Sequence, residues 1–237
     1  MSDTEDPIEE TDAPRLAPLP TRVVQVFVSP VRLFQALRER PVAWGAILLG
    51  AVLAAASNLV IPAELFEDMI RNQIAQAGGE APADLGMMVT IGRIGGSVGA
   101  FIFFPITIAL TAGLFSFLFR FGFGFEGRFK QYFAVAAHAS LILSVAGALL
   151  TPLRILSGDI QFNLTLGGLF PFLGDGLAGR FLGLLDLFAL WAIALVGVGA
   201  AVIDGKKGAG AAAAVSVGTL LLILLVVASF GFGGGPG

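Results

Sequence analysis

The chain has 237 residues, of which 56% are hydrophobic and only 13% are charged, about half the charged fraction of a soluble domain. Its apolar residues are grouped into runs of about 20, which indicates one transmembrane helical bundle rather than soluble domains. The sequence contains no Cys, so disulfides, thiolate nucleophiles and thiolate metal sites are excluded. The net charge of -3 says little about partners, because six of the 17 acidic residues lie within the first 12 positions.

The first 21 residues are acidic and rich in proline, and they contain almost no bulky apolar groups. Such a segment cannot offset the entropy of ordering, so residues 1–21 are predicted to form a disordered cytosolic tail. No apolar run begins before Val42, which is too late for the usual leader, and we therefore expect no cleaved signal peptide.

A short amphipathic helix is predicted within residues 22–41. Ser29 is a suitable N-cap, Pro30 suits the first helical position, and Pro41 ends the helix. The apolar face contains Val31, Leu33, Phe34 and Leu37, and the polar face contains Arg32, Gln35, Arg38 and Arg40. Two interpretations are open: Arg32, Arg38 and Arg40 bind anionic headgroups at the membrane surface, or the helix packs on the bundle.

The rest of the chain, residues 42–237, is predicted to be one all-α transmembrane domain with about five spanning helices. These are residues 42–62, 88–119, 131–152, 181–203 and 209–230. The second is longer than a span needs and is expected to kink near Pro105. Residues 63–77 are predicted to form a helix on the membrane surface, and residues 162–173 a re-entrant or interfacial segment, since they are too short and too interrupted to cross.

The distribution of basic residues predicts the orientation. Apart from Arg15 in the N-terminal tail, nine lie before the first span or in the loops on the same side, and four lie on the opposite side. The nine are Arg22, Arg32, Arg38, Arg40, Arg120, Arg128, Lys130, Lys206 and Lys207; the four are Arg71, Arg93, Arg154 and Arg180. The positive-inside rule therefore predicts a cytoplasmic N-terminus and an external C-terminus, in the inner membrane if the source is bacterial.

Ionisable side chains inside apolar runs are candidate functional residues. Asp186 lies five residues into the fourth predicted span and Arg93 five residues into the second, so each is on the order of 7 Å from the outer face. An Arg93–Asp186 ion pair is one prediction. The alternative is that Arg93 reaches water and that Asp186 pairs with Arg180 or with water.

His138 is the single histidine and lies in the cytoplasmic half of the third predicted span. We expect a buried, neutral side chain that bonds a neighbouring helix; proton transfer is the alternative. Without Cys and with few intramembrane acids, His138 cannot anchor a metal site, so neither a metal nor another cofactor is expected.

Two glycine-rich stretches match enzyme motifs by spacing alone. Residues 122–127 match G-x-G-x-x-G, but they follow a spanning helix rather than a strand, so a loop is predicted. Residues 95–99 match a nucleophile elbow, which also needs a preceding strand. The pairs Gly92/Gly96 and Gly95/Gly99 instead have the small-x-x-x-small spacing of close helix packing.

Three motifs carry a family resemblance. They are F-x-S-P-x-x-x-F-x-x-L-x-x-x-P at residues 27–41, G-R-F-K-Q at residues 127–131 and D-L-F-x-L-W at residues 186–191. With the five-span layout, the sequence resembles the Yip (Ypt-interacting protein) domain family over about residues 22–230. The resemblance implies a multi-pass membrane protein with a cytosolic N-terminus. Eukaryotic relatives are associated with small Rab GTPases and vesicle traffic, but this composition looks bacterial, and we do not expect small GTPase binding.

The sequence thus predicts a non-enzymatic membrane protein that acts through the lipid bilayer, a membrane protein partner or a homo-oligomer. No nucleic-acid partner is expected. The alternative is a transporter, channel or permease component in which Asp186, Arg93 and His138 line a polar path. No internal repeat is apparent, and the fifth predicted span has only Ser216, Thr219 and Ser229 as polar side chains, which favours the first interpretation.

Overall fold

The computed structural model describes residues 16–174 and 176–230, and every regular element in that part of the chain is a helix. The N-terminal part contains α1 (Leu19–Val28), α2 (Pro30–Glu39), α3 (Trp44–Val60), α4 (Ala63–Gln76) and α5 (Gly86–Phe117), which ends in a π-helical turn, Leu118–Gly122. Next come α6 (Phe129–Ala139), α7 (Leu141–Ser157), α8 (Leu166–Leu169), a 3-10 turn (Pro171–Leu173), α9 (Leu177–Leu184), α10 (Leu187–Asp204) and α11 (Ala209–Ser229). The predicted all-α bundle is confirmed.

Four stretches of the described chain are long and apolar enough to cross a membrane. They are Gly86–Gly122, Phe129–Ser157, Leu187–Asp204 and Ala209–Ser229. A fifth candidate consists of α3 and α4 together, which are bent by 83° at their junction. The 17 residues of α3 measure about 25 Å, slightly less than a typical hydrocarbon core. The bundle therefore has four or five spans, in agreement with the predicted number.

The predicted boundaries need two corrections. The helix predicted over residues 181–203 is interrupted at Leu185, so its first turn belongs to α9 and α10 begins at Leu187. Two backbone bonds hold this break to the preceding loop, Leu166 N to Leu185 O at 2.9 Å and Leu187 N to Leu164 O at 3.0 Å. The third span runs from Phe129 to Ser157, with a break at Ser140. The long second helix continues through Pro105, and the kink there stays a prediction.

The N-terminal region forms two helices rather than one. α1 begins at Leu19, so residues 19–21 of the predicted tail are helical, whereas residues 1–15 lie outside the described part. Ser29 separates the helices and Pro30 opens α2, as predicted, although the Ser29 side chain makes no capping bond. This pair packs on the bundle: Phe27 of α1 contacts the Trp191 ring edge-to-face, with centroids 5.4 Å apart.

The apolar face of α2 is buried against the bundle, where Leu33, Phe34 and Leu37 are at most 1% exposed. Val31 was predicted on the same face but is 44% exposed. Of the two interpretations of this helix, packing on the bundle is therefore the one that the structure shows. The packed face leaves the arginines of α2 on its outer side.

Small residues allow the later spans to approach closely. A Cβ added at Gly197 of α10 would overlap the backbone of α11 at Ala212, and one added at Gly199 would overlap the Val135 side chain of α6. The predicted pairs on α5 differ, because Gly92 and Gly95 have open space where a Cβ would be. Close packing thus occurs around α10, whereas a Cβ at Gly92 or Gly95 would meet no atom within 4 Å and one at Gly96 would lie 3.3 Å from Asn58 Nδ2 of α3.

We expect Gly197→Ala to destabilise the bundle, since the α10 and α11 backbones would have to separate. Overpacking of this kind costs about 1–3 kcal/mol. The control is Gly218→Ala on α11, where nothing lies within 4 Å of the added Cβ. In detergent, the melting temperature should fall by several degrees for Gly197→Ala and stay level or rise for Gly218→Ala. Equal melting temperatures for the two variants would contradict the packing.

Candidate functional site

Arg93 binds the end of another helix rather than an acidic residue. Its Nη2 donates to the carbonyl oxygens of Leu59 and Ile61, both at 2.7 Å, and its guanidinium lies 5.5 Å from the centre of the Phe66 ring. The last carbonyls of a helix lack intrahelical partners and favour a nearby cation. Arg93 of α5 thus stabilises the sharp junction between α3 and α4.

Asp186 is the N-cap of α10, with its Oδ1 accepting a bond of 2.8 Å from Ala189 N. The prediction that it lies within a spanning helix is wrong, because the helix starts only at the next residue. A carboxylate at this position satisfies a free N–H group and interacts favourably with the helix dipole. Arg93 and Asp186 both lie in the described part of the chain, and the structure does not bring them together.

Arg180, the alternative partner of Asp186, lies on α9 and donates from Nε to Ala228 O of α11 at 3.2 Å. Ala228 is in the last turn of α11, so this bond also satisfies a carbonyl at a helix end. Arg93, Asp186 and Arg180 therefore share one structural task, which is to satisfy backbone groups where helices begin or end.

His138 is fully buried on α6 and is hydrogen bonded to a neighbouring helix, as predicted. Its Nε2 lies 2.9 Å from Nη1 of Arg22 on α1, and its Nδ1 lies 2.8 Å from Ala134 O. Arginine can only donate, so Nε2 must be the acceptor and Nδ1–H must donate to Ala134 O. The ring is therefore neutral, and it joins α1 to the third span.

Arg22 is a functional residue that the sequence patterns do not identify, because they indicate only a charge that favours the orientation. Burial lowers the pKa of Arg22 from its usual value, but a guanidinium stays protonated in proteins. Its Nε is buried and has no hydrogen-bond partner among the described residues. The only sequence signal is its position: Arg22 is the single charged residue of α1, whose other side chains are mostly apolar, and such a charge indicates a side chain with a specific partner.

Three segments meet at the end of the bundle that bears most basic residues, which we call the basic end: the C-terminus of α2, the 122–128 loop and the 204–208 loop. Gln131 Nε2 donates to Arg38 O at 2.8 Å, and Arg38 Nη1 donates to Val202 O at 3.3 Å. Buried Asp204 accepts from Glu126 N at 2.8 Å and from Lys206 N at 3.2 Å. These bonds fix both loops to the end of α10.

The basic side chains of this region are exposed. They are Arg32, Arg38, Arg40, Arg120, Arg128, Lys130, Lys206 and Lys207. Lys206 forms an ion pair with Glu126 at 2.5 Å, and this hydrogen bond and charge raise the pKa of Lys206. Glu39 and Glu126 are the exposed acids of the same segments, whereas the Asp204 carboxylate is occupied by backbone donors. The basic end is therefore strongly positive.

The predicted headgroup-binding residues divide into two kinds. Arg32 and Arg40 have exposed side chains that form no ion pair with any described residue. Arg38 is exposed but also binds Val202 O, so part of its donor capacity serves the fold. Among the described residues, no cluster of three or more His, Asp or Glu side chains is placed to hold a metal ion.

Because Arg93 and Asp186 serve separate helix ends, their effects on stability should add. We expect Arg93→Met and Asp186→Ala each to lower the melting temperature; loss of an N-cap alone costs about 1 kcal/mol. The double variant should lose the sum of the two, within about 0.5 kcal/mol. A double variant that is clearly more stable than this sum would show that the two residues are coupled.

Comparison with known proteins identifies the family. The Yip1 domain matches residues 24–230 of this chain. The chain is also 26% identical over 178 residues to the "Membrane protein YknW" of Bacillus subtilis (strain 168), an alignment that covers 73% of this chain and 74% of that protein. No solved structure matches significantly. Since the matched residues make up most of the chain, this multi-pass membrane protein belongs to the Yip1 domain family.

Proposed function

We propose that this protein is a non-enzymatic integral membrane protein that gathers anionic lipids at the cytoplasmic face of the bilayer through its basic end. The carrying observation is the group of exposed basic side chains on α2 and on the two loops that are fixed beside it to the end of α10. In this orientation the N-terminus lies in the cytoplasm and the C-terminus outside, which the basic residues favour by the positive-inside rule.

The charge balance of the basic end supports a lipid ligand. No carboxylate lies within ion-pair distance of Arg32, Arg40, Arg128 or Lys130 among the described residues. Among the described residues of the basic end, Lys206 is the one basic side chain that has an acidic partner. A cation near an anionic leaflet contributes about 1 kcal/mol of binding free energy, so several unpaired cations together bind substantially.

The packing of α2 adds a geometric argument. Its apolar face is buried against α6 and α10, so the helix cannot insert that face into the membrane. Its outer face is then free to present Arg32 and Gln35 to headgroups. The membrane contact proposed here is electrostatic and should weaken with salt.

The transporter alternative has no support from the positions of its proposed residues. Arg93 and Asp186 bind backbone groups at two different helix ends, and His138 is enclosed between α1 and α6. A polar path needs such groups at successive depths of one cavity.

The experiment is lipid enrichment around the full-length protein in nanodiscs that contain phosphatidylcholine with a minor fraction of phosphatidylglycerol. Native mass spectrometry counts the lipids that the released protein retains. We expect retained phosphatidylglycerol to exceed its bulk fraction at low salt and to fall several-fold in the triple variant Arg32→Gln, Arg40→Gln, Lys130→Gln.

The matched control is the triple variant Arg32→Lys, Arg40→Lys, Lys130→Arg, which keeps all three charges. It should retain as much phosphatidylglycerol as the natural sequence. Retention that is the same for the neutral triple variant and the natural sequence would refute lipid binding at the basic end. Enrichment of phosphatidylglycerol that salt does not weaken would also oppose the proposal, since it would show that charge does not cause the enrichment.

A further inference from the structure

A cleft of about 290 Å³ opens between α3, α4 and α7 at the opposite end of the bundle from the basic end. Its walls are mostly apolar, and they include Ala54, Ile61, Phe66, Leu143 and Ile160. Ligand sites in proteins are typically apolar clefts of at least about this size with a few polar groups that orient the ligand.

One charged side chain, Arg154, lines the cleft from the last turn of α7. Its Nε donates to Phe162 O at 2.9 Å and its Nη2 to Asn163 Oδ1 at 2.7 Å, which fixes the plane of the guanidinium. Within the described part of the chain, Nη1 has no partner and no carboxylate lies within ion-pair distance. A held, half-buried cation with free donors favours an anionic ligand.

The dimensions of the cleft match one leaflet. Ser144 and Arg154 both line it and are ten residues apart on α7, so the cleft extends about 15 Å along this helix. The hydrocarbon core of a bilayer is about 30 Å thick. A ligand with its charge at Arg154 and an apolar chain toward Ser144 would therefore reach from the headgroup layer to about the middle of the membrane.

We propose that this cleft binds one anionic phospholipid, with the phosphate on Nη1 of Arg154 and one acyl chain along α7. Arginine binds phosphate oxygens through charge-assisted hydrogen bonds, and the apolar walls replace lipid neighbours for the chain. The bilayer supplies phospholipid at high concentration, which makes it the ligand rather than a free fatty acid. The site shares no residue with the basic end, so it goes beyond the function proposed above.

Gly147 offers a direct way to close the cleft. It lines the wall on α7, and no atom lies within 4 Å of the position that a Cβ would take. Gly147→Phe should therefore fill the space that the acyl chain uses without displacing a neighbouring helix. Gly113→Phe on α5 is the matched control, since that position is equally open and lies outside the cleft.

The test uses the full chain in phosphatidylglycerol nanodiscs, with native mass spectrometry after release into mild detergent at high salt, which removes lipid held only by the basic end. The natural sequence and Gly113→Phe should each keep one phosphatidylglycerol. Gly147→Phe should lose it. Arg154→Gln should bind it at least about tenfold more weakly, whereas Arg154→Lys, which keeps the charge, should lose less.

Three results would overturn the proposal. One is equal retention by the natural sequence, Gly147→Phe and Arg154→Gln. Another is equal retention from nanodiscs of phosphatidylcholine alone, which would remove the role of the anionic headgroup. The third is a preference for fatty acid: the protein retains laurate that was added to phosphatidylcholine nanodiscs but retains no phosphatidylglycerol from phosphatidylglycerol nanodiscs. If the neutral triple variant at the basic end retained as much lipid as the natural sequence, the proposed function would be refuted but the results expected at the cleft would not change. The two proposals are therefore tested separately.

Discussion

The structure depends on satisfying the backbone groups at helix ends that have no partner within their own helix. A spanning helix satisfies its interior groups by itself, but its first N–H and last C=O groups need other partners. Here charged side chains from other segments supply several of them: Arg93 at the end of α3, Arg180 at the end of α11 and Arg38 near the end of α10. Asp186 does the same at the start of α10. The charges within or beside apolar runs thus have structural partners and need no transported ion to explain them.

The same constraint determines which charges are available for function. Arg93, Arg180 and Asp186 are used by the fold, and Arg22 is used to bind His138. Most of the basic residues that remain lie at the basic end, on the outer side of α2, on the loops that Asp204 and Gln131 hold in place and in the turns beside them. Because the loops are fixed, these cations form a defined surface rather than a set of mobile tails. This separation of structural from free charges is the basis of the proposed lipid binding.

Sequence patterns predicted the elements that depend on local composition. Apolar length located the spans, Pro30 marked the start of α2, and the 3.6-residue period identified Leu33, Phe34 and Leu37 as one buried face. The patterns could not predict the break before Asp186, because an apolar run looks the same whether it forms one helix or two. That break is set by bonds from Leu164 and Leu166, about 20 residues away in the chain.

The partners of the charged residues could not be predicted from the sequence either. Arg93 and Asp186 lie at the same predicted depth in the membrane, which suggested an ion pair between them. Depth does not say which helices are neighbours, and both side chains bind nearer backbone groups. The Arg22–His138 contact joins residues 116 positions apart. It arises from the docking of α1, a helix that the sequence patterns did not separate from the N-terminal tail and α2. Such contacts follow from packing, which length and periodicity do not specify.

The proposed function requires that the basic end face the cytoplasm, and cysteine accessibility tests this orientation most directly. Since the natural sequence has no Cys, single substitutions report one position each without background. A membrane-impermeant maleimide should label Ser157→Cys in intact cells and should label Lys207→Cys only after the membrane is permeabilised. Labelling of Lys207→Cys in intact cells, with Ser157→Cys protected, would contradict the account.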